Sequence, residues 1–396
     1  MRRRRRMTAL ALAGLLVLLA WAQLHRPIPL PQGQLLLPTA RAYTAPLRPP
    51  WPSGGEAAIG AQGLGLWGAS GSLEHPIASL TKVMTALTAL ELKPLAPGQT
   101  GPTWTVSAAD AAAYQSEAAQ GQSVVQVVAG EQLSEEQLLE GMLIPSGNNF
   151  ALMLAEQAAG SEAQLVTDMN RRAARMGLRH SHFADVSGAS DHTVSAPADL
   201  VSLGEAAMAE PVIAGIVALP QVQLPLAGMV YNVNYVLGQD GIVGVKTGSS
   251  PGAGACYLFA APVRLASGRS LYLVGAIQDL PTLALAFSAA ERLLDAARSD
   301  LQVLRVVARG QTVGRLQAAW GPSTPLRAVE ELDLALWPGE KVQMRLISGP
   351  LPLPLGVGQA RSELGITAGA QDLRLPLSNS QALPAPSRTW RLLRIT

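Results

Sequence analysis

The sequence has one cysteine and few charged residues, which argues against an internal disulfide and against a disordered chain. Cys256 alone cannot form an internal disulfide, and its apolar surroundings, residues 254–259, favour a buried side chain over a nucleophile. Of the 396 residues only 15% are charged and 48% are apolar, which is typical of a globular protein with a membrane-proximal end. The net charge is +2 without a large basic patch, so the sequence does not indicate a nucleic-acid partner.

Lysine is scarce as well. Of the 30 basic residues only four are lysine: Lys82, Lys93, Lys246 and Lys341. Arginine keeps its proton in proteins, whereas a lysine can lose it and then act as a base. Two of the four lysines lie in the short motifs described below. Coding bias explains the scarcity equally well when it is taken alone.

Residues 1–24 predict an export signal or an uncleaved membrane anchor. Five arginines at 2–6 precede the uncharged apolar stretch Met7–Leu24, which is just long enough to span a bilayer. Because positive flanks stay in the cytoplasm, we expect the rest of the chain outside it, in a periplasm or at the outer face of the membrane. The string at 20–22, Ala-Trp-Ala, resembles a cleavage site, so cleavage and retention both stay open.

The remaining chain divides into three parts by composition. Residues 25–52 contain eight prolines, which predict an extended spacer because proline fixes φ and removes a hydrogen-bond donor. Residues 53–299 mix helical and strand patterns, so an α+β domain is expected there. In residues 300–396 short strands alternate with Gly/Pro turns, which predicts a small all-β sandwich.

Three short strings follow one another within residues 53–299. Ser79-Leu80-Thr81-Lys82 opens a predicted helix, which places Lys82 on the same face as Ser79. Ser146-Gly147-Asn148 falls on a loop between two predicted helices, and Lys246-Thr247-Gly248 ends an apolar β-branched strand. Each string alone is a weak signal. The ordered trio in these settings is the signature of penicillin-interacting serine enzymes.

These strings suggest a serine nucleophile with a lysine base. A histidine-based alternative, the G-x-S-x-G string at 248–252, precedes a strand, and Pro251 lacks the N–H that the residue after the serine must donate. Lysine can serve instead if burial and a second cation lower its pKa, so Ser79 is the predicted nucleophile, Lys82 its base and Lys246 the cation. A solvated helix lysine is the alternative for Lys82.

The other motif residues predict proton transfer and substrate binding. The Ser146 hydroxyl could pass a proton to a leaving amine, and Asn148 offers a donor and an acceptor to a substrate amide, although this string also suits a turn. Lys246 and Thr247 could hold a carboxylate, while Gly248 lets the backbone approach a ligand. An oxyanion hole is expected from two backbone N–H groups, those of Ser79 and Ser249.

The chain resembles the low-molecular-mass penicillin-binding proteins, serine D-alanyl-D-alanine carboxypeptidases of the peptidase S11 type, over about residues 55–375. The resemblance is carried by three segments and their extensions: 76–85 with 90–91, 143–148 with 155–156, and 232–234 with 244–248 and 253–256. It implies a penicillin-binding-protein/β-lactamase-like transpeptidase domain with an antiparallel sheet and a helical subdomain, followed by the family's β-rich domain.

The resemblance also implies a reaction. Ser79 would attack the carbonyl between two D-alanines of a peptidoglycan pentapeptide, Lys82 would take its proton, and Ser146 would protonate the departing D-alanine. Lys246 and Thr247 would bind the D-alanine carboxylate, and water would hydrolyse the acyl-enzyme. β-Lactam antibiotics would acylate the same serine and leave slowly. No metal or organic cofactor is implied.

Some positions depart from the family pattern. Asn149-Phe150 replaces the usual Asp-Ala, residues 182–189 follow their family segment only loosely, and Ser249-Ser250-Pro251 is less typical. The C-terminal stretch 388–396 is shorter than the family's amphipathic anchor, so membrane attachment is expected through the N-terminal segment.

Two alternatives stay open. A β-lactamase would share the three motifs. It is disfavoured because no Glu-x-x-Leu-Asn string lies between Ser146 and Lys246, and because a β domain is appended. The other alternative is a non-catalytic peptidoglycan-binding protein that keeps the fold.

Overall fold

A computed structural model describes residues 2–38, 40–42, 49–265, 270–349 and 351–394, as a mixture of helices and antiparallel sheets. The helices are α1 Arg2–His25, α2 Thr81–Leu92, α3 Ala108–Ala119, α4 Glu135–Leu143, α5 Asn148–Ala159, α6 Glu162–Met176, α7 Pro197–Ala209, α8 Pro211–Val217, α9 Leu283–Asp300 and α10 Arg388–Leu393. Short 3-10 turns lie at Ala78–Leu80 and Gln239–Gly241.

The strands fall in two series along the chain. The first series is β1 Gln32–Leu35, β2 Ala40–Ala42, β3 Glu56–Ala61, β4 Gly65–Ala69, β5 His75–Pro76, β6 Thr103–Thr105, β7 Gln132–Ser134, β8 Val194–Ser195, β9 Gln221–Leu224, β10 Gly228–Tyr231, β11 Gly244–Ser250, β12 Gly254–Arg264 and β13 Ser270–Leu280. The second series is β14 Gln302–Val307, β15 Thr312–Gln317, β16 Ser323–Ala328, β17 Leu332–Leu336, β18 Lys341–Ser348, β19 Ser362–Ala368 and β20 Gln371–Asn379. Two compact units result, one of Pro46–Gln302 and one of Met1–Ala45 with Val303–Thr396.

The unit Pro46–Gln302 is built on a five-stranded antiparallel sheet in the order β11-β12-β13-β3-β4. Helix α7 packs on one face, where Gly204 lies so close to Leu258 and Val274 that a Cβ would come within 2.9 Å of both side chains. Helix α9 packs on the other face, where the rings of Tyr257 and Phe287 meet edge to face at 4.9 Å. In this strand order β11 lies at one edge of the sheet, and helices cover both faces of the sheet.

The helical part of this unit surrounds α2, which is buried from Thr81 to Leu90. Its buried side chains are mostly apolar or small, but they include Lys82 and the three threonines Thr81, Thr85 and Thr88. The strings Ser-x-x-Asp at 107–110 and Ser-x-x-Gln at 134–137 predict capping boxes, and both are present: Ser107 with Asp110 begins α3, and Ser134 with Gln137 begins α4. The loop that contains Ser146 follows α4 directly.

One helix begins later than its sequence pattern predicts. The apolar spacing and Pro281 predict a helix over residues 281–297, whereas α9 begins at Leu283, where the Thr282 hydroxyl caps it by accepting the Leu285 N–H at 3.3 Å. The threonine determines where the helix begins because its side chain satisfies one of the free amides of the first turn.

The other unit contains a seven-stranded antiparallel sheet in the order β1-β15-β16-β20-β19-β18-β2, with a separate β14–β17 pair. Both end strands come from the predicted spacer. Gln32–Leu35 pairs with β15, and Ala40–Ala42 pairs with β18. Gly33 also lies against Leu346, where a Cβ would come within 2.6 Å of a leucine methyl. Part of residues 25–52 is thus integral to the β unit; 39 and 43–48 lie outside the described residues.

Helix α1 leads into this unit. Its segment Met7–His25 has a mean hydropathy of 2.0 and none of it is buried, so by length and composition it can cross a membrane. Near its end, the Gln23 side chain donates to the Arg394 carbonyl at 2.7 Å, which joins it to the segment following α10.

Candidate active site

Ser79 lies in the 3-10 turn Ala78–Leu80, which runs directly into α2. Ala78, just before it, has φ 45°, in the left-handed region that residues other than glycine rarely adopt. The turn is held from two sides. The Thr81 hydroxyl donates to the Ala78 carbonyl at 2.7 Å, and Gly188 packs so closely that a Cβ would come within 1.8 Å of that oxygen. Strained backbone held in this way is typical of functional sites.

Lys82 is completely buried, and its Nζ contacts three oxygens. These are Ser79 Oγ at 2.9 Å, Asn148 Oδ1 at 2.7 Å and the Ser187 carbonyl at 2.7 Å. The amide and carbonyl oxygens can only accept hydrogen bonds, whereas a hydroxyl can also donate. A neutral amine therefore gives its two N–H groups to Asn148 and Ser187 and directs its lone pair at the Ser79 hydroxyl. Such an arrangement can serve as a base and its nucleophile.

The electrostatics favour that neutral amine. Burial lowers the pKa of Lys82 well below its usual range, and the positive charge of Lys246 lowers it further. The carboxylates of Asp185 and Glu117 act in the opposite direction but are weaker influences. Lys246 is itself buried, which lowers its pKa to about 7. The two lysines therefore share one site without both having to be charged.

The Ser187 carbonyl is presented by a tight turn that Asp185 organises. One carboxylate oxygen of Asp185 accepts from the Ser187 N–H at 3.2 Å, the Ser187 hydroxyl at 2.9 Å and the Ala189 N–H at 2.8 Å. The other accepts from the Thr193 hydroxyl at 2.6 Å. This is the segment that follows the family pattern only loosely, and here it supplies one of the three contacts of Lys82.

Ser146 lies on the opposite side of the site, in the loop between α4 and α5. It is 5% exposed, and its φ of 71° is again left-handed. The loop is fixed because the Gly147 N–H donates to the Gly141 carbonyl at 3.0 Å, while the Val233 N–H donates to the Ile144 carbonyl at 3.2 Å. The hydroxyl of Ser146 thus occupies a defined position facing the same cavity as Ser79.

Asn148 begins α5 and links Lys82 to a loop that the sequence did not single out. Its Nδ2 donates to Gln122 Oε1 at 2.8 Å, and its backbone N–H donates to the Ser123 carbonyl at 2.8 Å. Gln122 is oriented in turn because its Nε2 donates to Gln120 Oε1 at 3.2 Å, so its Oε1 and Lys82 Nζ lie at opposite ends of the Asn148 amide and favour this orientation.

The two unusual residues after this motif are accommodated by their neighbours. Asn149 forms two hydrogen bonds with the Val125 backbone, accepting from its N–H at 3.0 Å and donating to its carbonyl at 2.8 Å. An aspartate could make only the first of these contacts. The Phe150 ring fills the space above Gly141, where a Cβ would come within 2.2 Å of the ring. Phe150 therefore packs against α4 as a buried core residue.

Strand β11 forms the third side of the site. A Cβ on Gly248 would come within 3.0 Å of both the Ser79 nitrogen and the Ile77 carbonyl, so glycine is needed for this close approach. The buried Lys246 Nζ donates to the Thr247 carbonyl at 3.1 Å. A cavity of about 160 Å³ opens between these elements, lined by Ser79, Ser123, Ser146, Val233, Tyr235, Thr247, Gly248, Ser249 and Leu283.

The structure therefore brings the predicted residues together. Five of them line the cavity: Ser79, Ser146, Thr247, Gly248 and Ser249. The other three are Lys82, which contacts Ser79, Asn148, which contacts Lys82, and Lys246, which lies close enough to lower the pKa of Lys82.

Sequence reasoning missed several lining residues. Ser123, Tyr235 and Leu283 come from a loop, a turn and a helix start, none with a chemical signature of its own. Tyr235 is 75% exposed at this cavity, and Val233 lies within the string at 232–234 that resembles the family. Within the described ranges of the chain, no group of three or more His, Cys, Asp or Glu side chains could hold a metal ion.

Comparison with known proteins identifies a family and several relatives of this chain. The family model for D-alanyl-D-alanine carboxypeptidases, peptidase S11, matches residues 68–266. The carboxypeptidase DacB2 of Mycobacterium tuberculosis is 33% identical over 203 residues, covering 50% of this chain and 65% of the relative. A D-alanyl-D-alanine carboxypeptidase of Streptomyces sp. strain K15 is 30% identical over 156 residues, covering 35% of this chain and 54% of the relative. The chain thus spans about two thirds or less of these relatives.

Two solved structures have the same fold. Penicillin binding protein 5 of Haemophilus influenzae superposes with a TM-score of 0.63 at 19% identity, covering 86% of this chain and 100% of that one. The Streptomyces K15 DD-transpeptidase gives a TM-score of 0.56 at 22% identity, covering 64% of this chain and 100% of that one. At these identities the likeness establishes the fold, which agrees with the α+β expectation from the sequence.

Proposed function

This chain belongs to the peptidase S11 family, the D-alanyl-D-alanine carboxypeptidases, and we propose that it removes the terminal D-alanine from peptidoglycan stem peptides through an acyl-enzyme on Ser79. One observation carries the proposal. Lys82 Nζ has two partners that can only accept hydrogen bonds, and its remaining position faces the Ser79 hydroxyl at 2.9 Å. A buried lysine held in this way is a base for a serine nucleophile.

In the acylation step, Ser79 Oγ attacks the carbonyl carbon between the two D-alanines while its proton passes to Lys82 Nζ. Two backbone N–H groups, those of Ser79 and Ser249, stabilise the oxyanion. Collapse of the intermediate breaks the C–N bond, and the Ser146 hydroxyl relays the proton from Lys82 to the departing amine. Water then hydrolyses the ester, which releases the shortened peptide and restores the serine.

The carboxylate of the leaving D-alanine needs a partner at the far end of the cavity. Lys246 and Thr247 on β11 supply a charge and a hydroxyl there, and Gly248 keeps the strand clear of side chains beside Ser79. The Asn148 side chain forms a hydrogen bond with the peptide amide of the substrate. The pKa of Lys246, lowered to about 7 by burial, rises again when a carboxylate binds beside it, because an opposite charge favours the protonated form.

The proposal includes a place of action and a class of inhibitor. The chain acts outside the cytoplasm on cell-wall peptidoglycan, exported by the N-terminal segment and attached through α1 where that segment is retained. The catalytic domain, assigned to residues 53–299, carries the chemistry, and the β domain at 300–396 follows it. Penicillin acylates Ser79 because its strained amide occupies the place of the D-Ala-D-Ala bond.

The test is D-alanine release from a peptide that ends in D-Ala-D-Ala, measured for the full chain and its Ser79→Ala variant. Release by the wild type that is lost in the variant supports the proposal. A wild type that turns over penicillin rapidly and releases no D-alanine would instead be a β-lactamase. A wild type that binds peptidoglycan but neither releases D-alanine nor is acylated would be a non-catalytic binding protein.

A further inference from the structure

Gln122 lies just beyond α3, beside the catalytic residues but outside the three motifs. Its side chain is half-buried, and Oε1 accepts from Asn148 Nδ2 at 2.8 Å. The other end of the Asn148 amide, Oδ1, accepts from Lys82 Nζ at 2.7 Å. Gln122 is therefore two hydrogen bonds away from the proposed base.

An asparagine amide can be turned end for end at almost no cost in shape, so its neighbours decide the orientation. With Oδ1 towards Lys82, Asn148 takes an N–H from the amine and leaves the lone pair free. With Nδ2 towards Lys82, the amide would donate to that lone pair. The amine could then no longer accept the proton of Ser79.

Gln122 Nε2 donates to Gln120 Oε1 at 3.2 Å, which leaves Oε1 as the end of the Gln122 amide that faces Asn148, so a reversed Asn148 would place two oxygens against each other. We propose that Gln122 is a positioning residue that holds the Asn148 amide in the one orientation that keeps the lone pair of Lys82 for Ser79. This inference rests on the proposed function, since it assigns Lys82 the role of base in that reaction.

The backbone of this loop is fixed without the Gln122 side chain. The Gln122 N–H donates to the Glu117 carbonyl at 3.0 Å, and the next residue, Ser123, accepts from the Asn148 N–H at 2.8 Å. Asn149 then holds Val125 through two hydrogen bonds. A substitution at Gln122 therefore removes the contact with the Asn148 amide and leaves the loop in place.

The experiment compares two variants of the full chain. Gln122→Met keeps the length of the side chain but removes the acceptor, whereas Gln122→Glu keeps an acceptor and adds a negative charge. The measurement is the second-order rate constant for acylation of Ser79 by a fluorescent penicillin across a range of pH. Gln164→Met is the matched control, because Gln164 is an exposed glutamine of α6 that pairs with Asp168 at 3.2 Å.

We expect Gln122→Met to acylate about tenfold more slowly than the wild type, the effect of one lost hydrogen bond at its upper range. Gln122→Glu recovers most of that rate. Lys82 already faces Lys246, Asp185 and Glu117, and the added carboxylate raises its pKa, so the acid limb of the profile moves to higher pH. Gln164→Met matches the wild type.

The inference is overturned if Gln122→Met acylates as fast as the wild type. It is also overturned if both variants are equally slow at every pH with equally lowered Tm, since that pattern indicates a structural role. D-alanine release by the wild type is measured in parallel and tests the proposed function separately. A wild type that penicillin does not acylate contradicts both.

Discussion

Two buried lysines, Lys82 and Lys246, define this site at the level of single residues, and only Lys82 contacts the proposed nucleophile. Lys82 contacts Ser79, Asn148 and Ser187, whereas Lys246 donates to the Thr247 carbonyl. The proposed reaction therefore requires a neutral Lys82, and a charged Lys246 when a carboxylate binds. These opposite demands lead to separate predictions.

The first prediction concerns the proton acceptor. Lys82→Arg keeps a cation but cannot accept a proton, so acylation of Ser79 is expected to fall by about 10²–10⁴-fold. In the wild type the rate rises with pH through the lowered pKa of Lys82, because only the neutral amine is a base. The measurement is penicillin acylation against pH. Lys93→Arg, at an exposed position just after α2, is the control and should behave as the wild type. A Lys82→Arg variant with the wild-type rate would exclude the lysine as base.

The second prediction concerns stability. The pKa of Lys246 is about 7 in the folded chain, against about 10.4 in an unfolded one. Between these values the unfolded state binds more protons, so the cost of burying Lys246 is full below about pH 7 and fades as the pH rises towards about 10. Lys246→Met should therefore raise the Tm, and by more at about pH 6 than at about pH 10. Thermal unfolding at several pH values tests this, and a gain that does not change with pH would contradict it.

At the level of helices and strands, local sequence patterns predicted where helices lie, but they did not predict which side chains contact each other. Capping boxes and apolar spacing located α3, α4 and the helix after Ser79, because these signals lie within a few residues of each other. The contact between Gln122 and Asn148 depends on how a loop returns to a helix 26 residues later. No periodicity reports such a path, so this part of the site needed the structure.

A third prediction tests the packing of α4 against α5. Alanine usually stabilises a helix relative to glycine by about 0.5–1 kcal/mol. In Gly141→Ala the new methyl group would meet the Phe150 ring, so we expect a loss of about 1–3 kcal/mol in the free energy of unfolding. Gly215→Ala is the matched control, because nothing lies within 4 Å of that position on α8. Denaturant unfolding measures both. Equal effects of the two substitutions would show that Phe150 does not fill this space.

In the molecule as a whole, the N-terminal segment contributes strands to the β unit. Its prolines suggested a spacer, yet Gln32–Leu35 and Ala40–Ala42 provide the two end strands of the β unit. Their partners lie about 280 to 300 residues further along the chain, and pairing over such a distance leaves no local signal in short strands. The proline-rich composition of this segment therefore did not predict its return to the β unit.

The fourth prediction follows from that pairing. A chain that begins at Pro46 lacks both end strands, so β15 and β18 become open edges with unpaired backbone groups. Compared with a chain that begins at Gln23, amide hydrogen exchange should be faster in Thr312–Gln317 and Lys341–Ser348. Strands β12 and β13 serve as the internal control and should keep their protection. Equal exchange in β15 and β18 would mean that the end strands contribute nothing.

The central claim is that Ser79 is the nucleophile of a D-alanyl-D-alanine carboxypeptidase. Its most direct test is the free D-alanine released by the full chain from a peptide ending in D-Ala-D-Ala, with Ser79→Ala alongside. The account predicts steady release by the wild type and none by the variant. Equal release by both would contradict the role of Ser79, and no release by the wild type would contradict the proposed activity.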